Sequence, residues 1–136
     1  MSVRRRDDAG SALIEFIVLG VAAIVPIAYV VLAVASVQSA AFASAQAVRE
    51  AGRAFASAAT PRDAAHRAVV AARLALADQG YVLPPDALHL ACHRGACLAP
   101  GSIVEVQLTW RVFVSGVTVP VEARQVVPVD DFRSTP

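Results

Sequence analysis

With 136 residues, the chain has room for one small soluble domain and little more. Its net charge of +1 gives no field strong enough to recruit nucleic acid or an acidic partner. Hydrophobic residues make up 57%, and the excess is concentrated in one N-terminal run and in abundant alanine, so the remainder must form a modest core.

The first ten residues form a short leader in which Arg4, Arg5 and Arg6 precede Asp7, Asp8, Ala9 and Gly10. Residues 16–37 then carry no charge and are almost wholly apolar. As an α-helix they extend about 33 Å, enough to cross a hydrocarbon core of about 30 Å. Lipid cannot satisfy bare amide groups, so a lone segment crosses only as a helix. The expected transmembrane helix covers residues 11–37. Three arginines precede it, and the next basic residue is Arg49. That asymmetry puts the N-terminus in the cytoplasm and the bulk of the chain outside, as a single-pass protein of the cell membrane. Pro26 removes a backbone hydrogen bond near mid-span and is expected to loosen or kink the helix. A cleaved secretory signal is the alternative, because Ala33, Val34 and Ala35 resemble a signal-peptidase site; signal h-regions, however, run only about 7–15 residues.

Glu15 lies at the start of this run, between Ile14 and Phe16. A carboxylate within a span costs roughly 3 kcal/mol or more unless it snorkels to the interface or meets a cation. Position alone leaves both readings open: a surface marker that reaches water, or a group awaiting a partner's positive charge. The basic leader, Gly10, and Glu15 five residues further on with Phe16 after it resemble the recognition site of the prepilin peptidase. That resemblance implies cleavage between Gly10 and Ser11. It further implies that the freed Ser11 amine and the Glu15 of neighbouring subunits compensate each other inside the membrane or a filament.

The helical pattern continues beyond the span. Ala41, Phe42, Ala45, Val48, Gly52 and Phe55 recur at three- and four-residue spacings, with Gln38, Gln46, Arg49, Glu50 and Arg53 mainly elsewhere. This predicts an amphipathic stalk helix over 38–57, outside the membrane. The run from Arg49 through Gly52 and Phe55 to Ala56 is similar to the one that follows the span in the TadE-like minor pilins of tight-adherence systems. The resemblance covers residues 4–56; beyond residue 60 it is architectural only.

Thr60, Pro61 and Asp63 spell a helix start, and Gly80 a left-handed stop, predicting a second helix over 61–80. Ala65, Val69, Ala72 and Leu76 give it an apolar stripe, which is expected to lie against the stalk or across a sheet. His66 has no metal-ligand partner at useful spacing and reads as a solvated helix residue. Pro84 and Pro85 form a rigid linker. A small antiparallel sheet follows over 87–129, with a short strand over 87–92 and alternating runs over 103–114 and 117–124. A two-residue turn at Ser115 and Gly116 sets Val114 opposite Val117, Trp110 opposite Val121 and Leu108 opposite Ala123, so that apolar residues meet apolar ones. The Trp110 face is expected to pack under the second helix. Pro120 marks the last strand as an edge. Residues 130–136, beginning with Asp130 and Asp131, are expected to form a disordered tail.

Cys92 and Cys97 enclose a four-residue loop, and a disulfide is the leading reading for an exported segment. A metal site from His89, Cys92, His93 and Cys97 is the alternative, although that spacing matches no zinc signature. No phosphate loop, nucleophile elbow or paired-carboxylate arrangement is present, so neither enzymatic activity nor a cofactor, resident metal or small-molecule substrate is expected. The combined expectation is an α+β, pilin-like chain. It would be a structural or assembly subunit of a tight-adherence type IV pilus or a related filament, working with the membrane, other pilin subunits, the assembly machinery and the prepilin peptidase. Three rivals remain: a minor pseudopilin of a type II-like secretion system, an unprocessed bitopic protein with an outer binding domain, and a membrane-tethered hydrolase.

Overall fold

The computed structural model describes residues 8–132, with side chains from residue 12 onward. The elements run α1 (Asp8–Ala56), α2 (Pro61–Ala77), β1 (Leu88–His93), β2 (Ile103–Val114) and β3 (Val117–Pro128). The protein is α+β, with a long apolar N-terminal helix, a second helix and a three-stranded antiparallel sheet. Two units divide the chain, one ending at Ala35 and the other beginning at Ser36.

In the first unit α1 continues through Pro26. From residue 12 to residue 35 its side chains are exposed, apart from the half-buried Gly20 and Ala33. The most apolar stretch has a mean hydropathy of 2.8, and none of it is buried. By length and composition this helix can cross a membrane.

The second unit holds the core. β2 lies between β1 and β3, so both outer strands are edges. Ser115 and Gly116 adopt positive φ values of 55° and 87°, the pair of left-handed residues that a two-residue hairpin turn needs to match strand twist. Val114 pairs with Val117, Val112 with Val119, Trp110 with Val121 and Leu108 with Ala123, as the alternation requires. β1 pairs Leu88 with Leu108 and Leu90 with Val106. One face of β2 therefore buries Val104, Val106, Leu108, Val112 and Val114.

The helices meet that face differently from the sequence expectation. α1 turns Ala40, Ala43, Ser44, Ala47, Val48, Ala51 and Phe55 inward, whereas Ala41 is exposed and Phe42 is 76% exposed. α2 buries Ala64, Ala68, Ala72, Ala75 and Leu76, leaving Ala65 exposed and Val69 half-buried. Both helices are so rich in alanine that several phases offer a small apolar stripe, and the packing partner decides among them. The Trp110 face does not sit under α2 alone. The indole Nε1 donates to Ser44 Oγ on α1 at 2.8 Å, and the Ser44 hydroxyl in turn donates to the Ala40 carbonyl at 2.8 Å. A half-buried indole N–H needs an acceptor, and only α1 supplies one here. Tyr81 meets the same ring edge-on at a centroid distance of 5.3 Å.

α2 is capped as its sequence spells out. Thr60 accepts from the Asp63 N–H at 3.3 Å, and Asp63 pairs with Arg67 at 2.8 Å. The helix closes at Ala77, and Gly80, with φ of 80°, lets the Tyr81 N–H return to the Leu76 carbonyl. At the other end of the sheet the Val129 N–H donates to the Ser102 carbonyl at 2.9 Å, and Val129 is buried. Asp130 Oδ1 then accepts from the Phe132 N–H at 2.9 Å, so the chain is in a turn as far as Phe132. Residues 133–136 lie outside the described part.

Gly52 is where α1 and the sheet come closest. A Cβ there would stand 2.6 Å from Val127 Cγ2 and 3.7 Å from Val106 Cγ2. Gly52→Val should therefore force the helix off β3 and destabilise the domain by about 1–3 kcal/mol, the usual cost of overpacking. Thermal unfolding in detergent, followed by near-ultraviolet circular dichroism, should show a lower Tm than wild type. An unchanged Tm would mean that the helix–sheet seat is slack.

Candidate functional site

Two regions carry chemistry that packing alone does not use: the exposed first part of α1, and the outer face of the sheet with its disulfide loop.

On α1, Glu15 is exposed and is followed by Phe16, itself 76% exposed. Leu13, Ile14, Ile17, Val18 and Leu19 surround them and are likewise exposed. The carboxylate thus stands in an apolar collar, and among the described residues no cation reaches it. Such a group finds compensation from a cation or from the water at an interface. The backbone at Gly10 and Ser11 lies in the first turns of α1, while the Ser11 side chain and the Arg4, Arg5 and Arg6 leader lie outside the described part. The structure thus sets Glu15 and Phe16 one to two turns along the same helix from the Gly10–Ser11 bond.

Cys92 and Cys97 are joined in a disulfide with Cα atoms 5.4 Å apart. It closes the turn after β1, where Arg94, Gly95 and Leu98 all take positive φ. The cross-link therefore holds a strained turn against the end of β1. His89 and His93 point to the other side of that strand from Cys92, and the thiols are consumed by the disulfide. Among the described residues no three His, Cys, Asp or Glu side chains gather as metal ligands.

The solvent face of the sheet carries a polar lattice. Gln107 pairs with Arg124 and Thr109 with Glu122 in register, but the side chains bond diagonally. Gln107 Nε2 donates to Glu122 Oε1 at 2.6 Å, and Arg124 NH2 donates to Glu105 Oε2 at 2.6 Å. His93 Nε2 reaches the same Glu105 oxygen at 3.2 Å. The register alone places Glu105 one diagonal step from Arg124, so the hairpin alignment held the signal. The Arg124 hydrogen bond holds the Glu105 carboxyl below the usual carboxylate range against the opposing effect of burial, helped by the Arg124 charge and the His93 contact. The grooves beside it are shallow and open, and the one between α1 and β3 is lined by Arg49, Arg53, Gln125 and Val126. The lattice is a structural brace across three strands. It lacks the enclosed cavity with converging polar groups that a substrate site needs.

Comparison with protein families, with characterised proteins and with solved structures yields no match.

The lowered Glu105 pKa means that its stabilising effect is complete above the ordinary carboxylate value, about 4.3, and is lost as pH falls through the depressed folded value. Thermal unfolding between pH 6 and pH 2 should show wild type losing Tm more steeply in the acid limb than Glu105→Gln. Parallel acid limbs for the two proteins would remove Glu105 from the account.

Proposed function

We propose that the chain is a pilin-like structural or assembly subunit, a minor pilin or pseudopilin of a tight-adherence type IV pilus or a related secretion filament. It would be made as a precursor and cut by the prepilin peptidase between Gly10 and Ser11. The observation that carries this reading is α1 itself: one helix from Asp8 to Ala56 that exposes an apolar surface around a single acid, Glu15, and ends inside the core of a small sheet domain. A helix of that kind can be held in two apolar surroundings in turn. Lipid covers it before assembly, and the helices of sister subunits cover it afterwards. Cutting at Ser11 creates an amine, and an amine and a carboxylate brought together in an apolar medium attract far more strongly than in water. Glu15 of one subunit would thereby select the register of the next. The basic leader keeps the cut site in the cytoplasm and sends the sheet domain outward, where the Cys92–Cys97 disulfide is stable.

A minor pseudopilin of a type II-like system fits the same observations and differs only in its partners. A second reading has its own support: the boundary between the two units follows Ala35, next to the Ala33–Ala35 signal-peptidase-like site. On that reading residues 1–35 are a secretory signal and the domain is released.

The intact mass of the mature protein separates these readings. The pilin reading predicts a chain beginning at Ser11, and loss of that product in Gly10→Val with accumulation of the full-length precursor. A chain beginning at Ser36 would establish the secretory signal instead. A chain that retains residues 1–10 would contradict processing and leave Glu15 without its amine.

A further inference from the structure

We propose that the tip of the β2–β3 hairpin is a second membrane contact, seated in the headgroup layer of the bilayer that α1 crosses. The proposal rests on α1 being inserted, and it does not depend on processing or on filament assembly.

The geometry comes from the second unit alone. Trp110 bonds to Ser44, and Val106 lies beside Gly52, so β2 runs antiparallel to α1. Four strand residues, about 13 Å, match eight helix residues, about 12 Å. Continuing four residues from Trp110 to Val114 carries the strand back to about residue 36, where this unit begins. The uncharged run of α1 ends at Val37. The hairpin tip therefore stands level with residues 36 and 37 of its own unit, where the chain leaves its apolar stretch.

The residues displayed at that level suit an interface. Phe113 is 74% exposed and Val117 62% exposed, on either side of the tight Ser115–Gly116 turn. Phe42, 76% exposed, lies about 8 Å along α1 from Val37. Single exposed apolar residues are ordinary on protein surfaces. Three at one end, at the height of the headgroup layer, make a rim that can enter the outer 5–10 Å or so of a bilayer. Arg111 is exposed two residues before Phe113 and on the same face of β2, placed to meet lipid phosphates while Phe113 reaches the acyl boundary. The occupant of this surface is thus a phospholipid bilayer, reached by tethering: α1 fixes the tip at the surface, and a weak apolar contact suffices. Its consequence is to set the tilt of the sheet domain on the membrane before assembly.

The test uses the full-length protein in nanodiscs of phosphatidylcholine and phosphatidylglycerol. Both native cysteines are in the disulfide, so a polarity-sensitive nitrobenzoxadiazole label can be placed on Phe113→Cys, on Val117→Cys, on Val126→Cys about 30 Å up the same hairpin, and on Leu19→Cys within α1. Labels at 113 and 117 should shift to the blue and lose emission to a lipid carrying a shallow doxyl quencher. The label at 126 should do neither, and the label at 19 should be quenched by a deep doxyl lipid. Labels at 113 and 117 that behave like 126, with 19 quenched, overturn the hairpin contact alone. A label at 19 that no lipid quenches overturns insertion of α1, and the hairpin contact with it.

Discussion

An apolar helix that its own chain leaves uncovered is the constraint from which the rest follows. Between residues 12 and 35 the side chains of α1 are exposed, and they include Leu13, Ile14, Phe16, Ile17, Val25 and Leu32. Burying each large apolar side chain stabilises by roughly 1.5–3 kcal/mol, so the run as a whole holds tens of kcal/mol in order of magnitude. The single carboxylate in the run costs roughly 3 kcal/mol or more in a span, which the apolar surface outweighs many times over. Glu15 therefore does not decide whether the helix leaves water. On the proposed reading, it selects what the helix meets once it has left.

The same helix also organises the soluble part. α1 continues beyond Ser36 into the core, where Ser44 gives the Trp110 indole its acceptor and Gly52 lets Val127 approach. The domain is small and its helices are alanine-rich, so burial alone gives it a thin margin. The hairpin register, the diagonal hydrogen bonds around Glu105 and the Cys92–Cys97 cross-link brace the sheet against that limit. Within the second unit, residues 40–55 of α1 thus set how the sheet lies on its own stalk.

Strand alternation and turn chemistry made the sheet legible from residues alone. A period of two and a Ser115–Gly116 turn permit one register in which Val112, Trp110 and Leu108 all oppose apolar partners, and β2 and β3 adopt it. The capping of α2 was legible for the same reason, since Thr60, Pro61 and Asp63 act locally. The helix faces were not. When alanine occupies most positions, the apolar stripe has no single phase, and the choice passes to tertiary partners such as the Trp110 indole. Phe42 shows the effect: its spacing puts it on the apolar stripe, yet Ala43 and Ser44 fit the sheet and Phe42 stays outside. The Glu105–Arg124–His93 cluster lay hidden in the diagonal offset rather than in any sequence motif. Among the described residues no cation reaches Glu15, and on the proposed reading its partner is another subunit's amine.

The central claim is that α1 spends its first part in a bilayer, held there by apolar surface and not by peripheral charge. Alkaline carbonate extraction of membranes from cells making the full-length chain tests this directly, because high pH strips proteins bound by charge and leaves inserted helices behind. The account predicts that the protein remains in the membrane pellet and is released only by detergent. Recovery of full-length chain in the carbonate supernatant would contradict it.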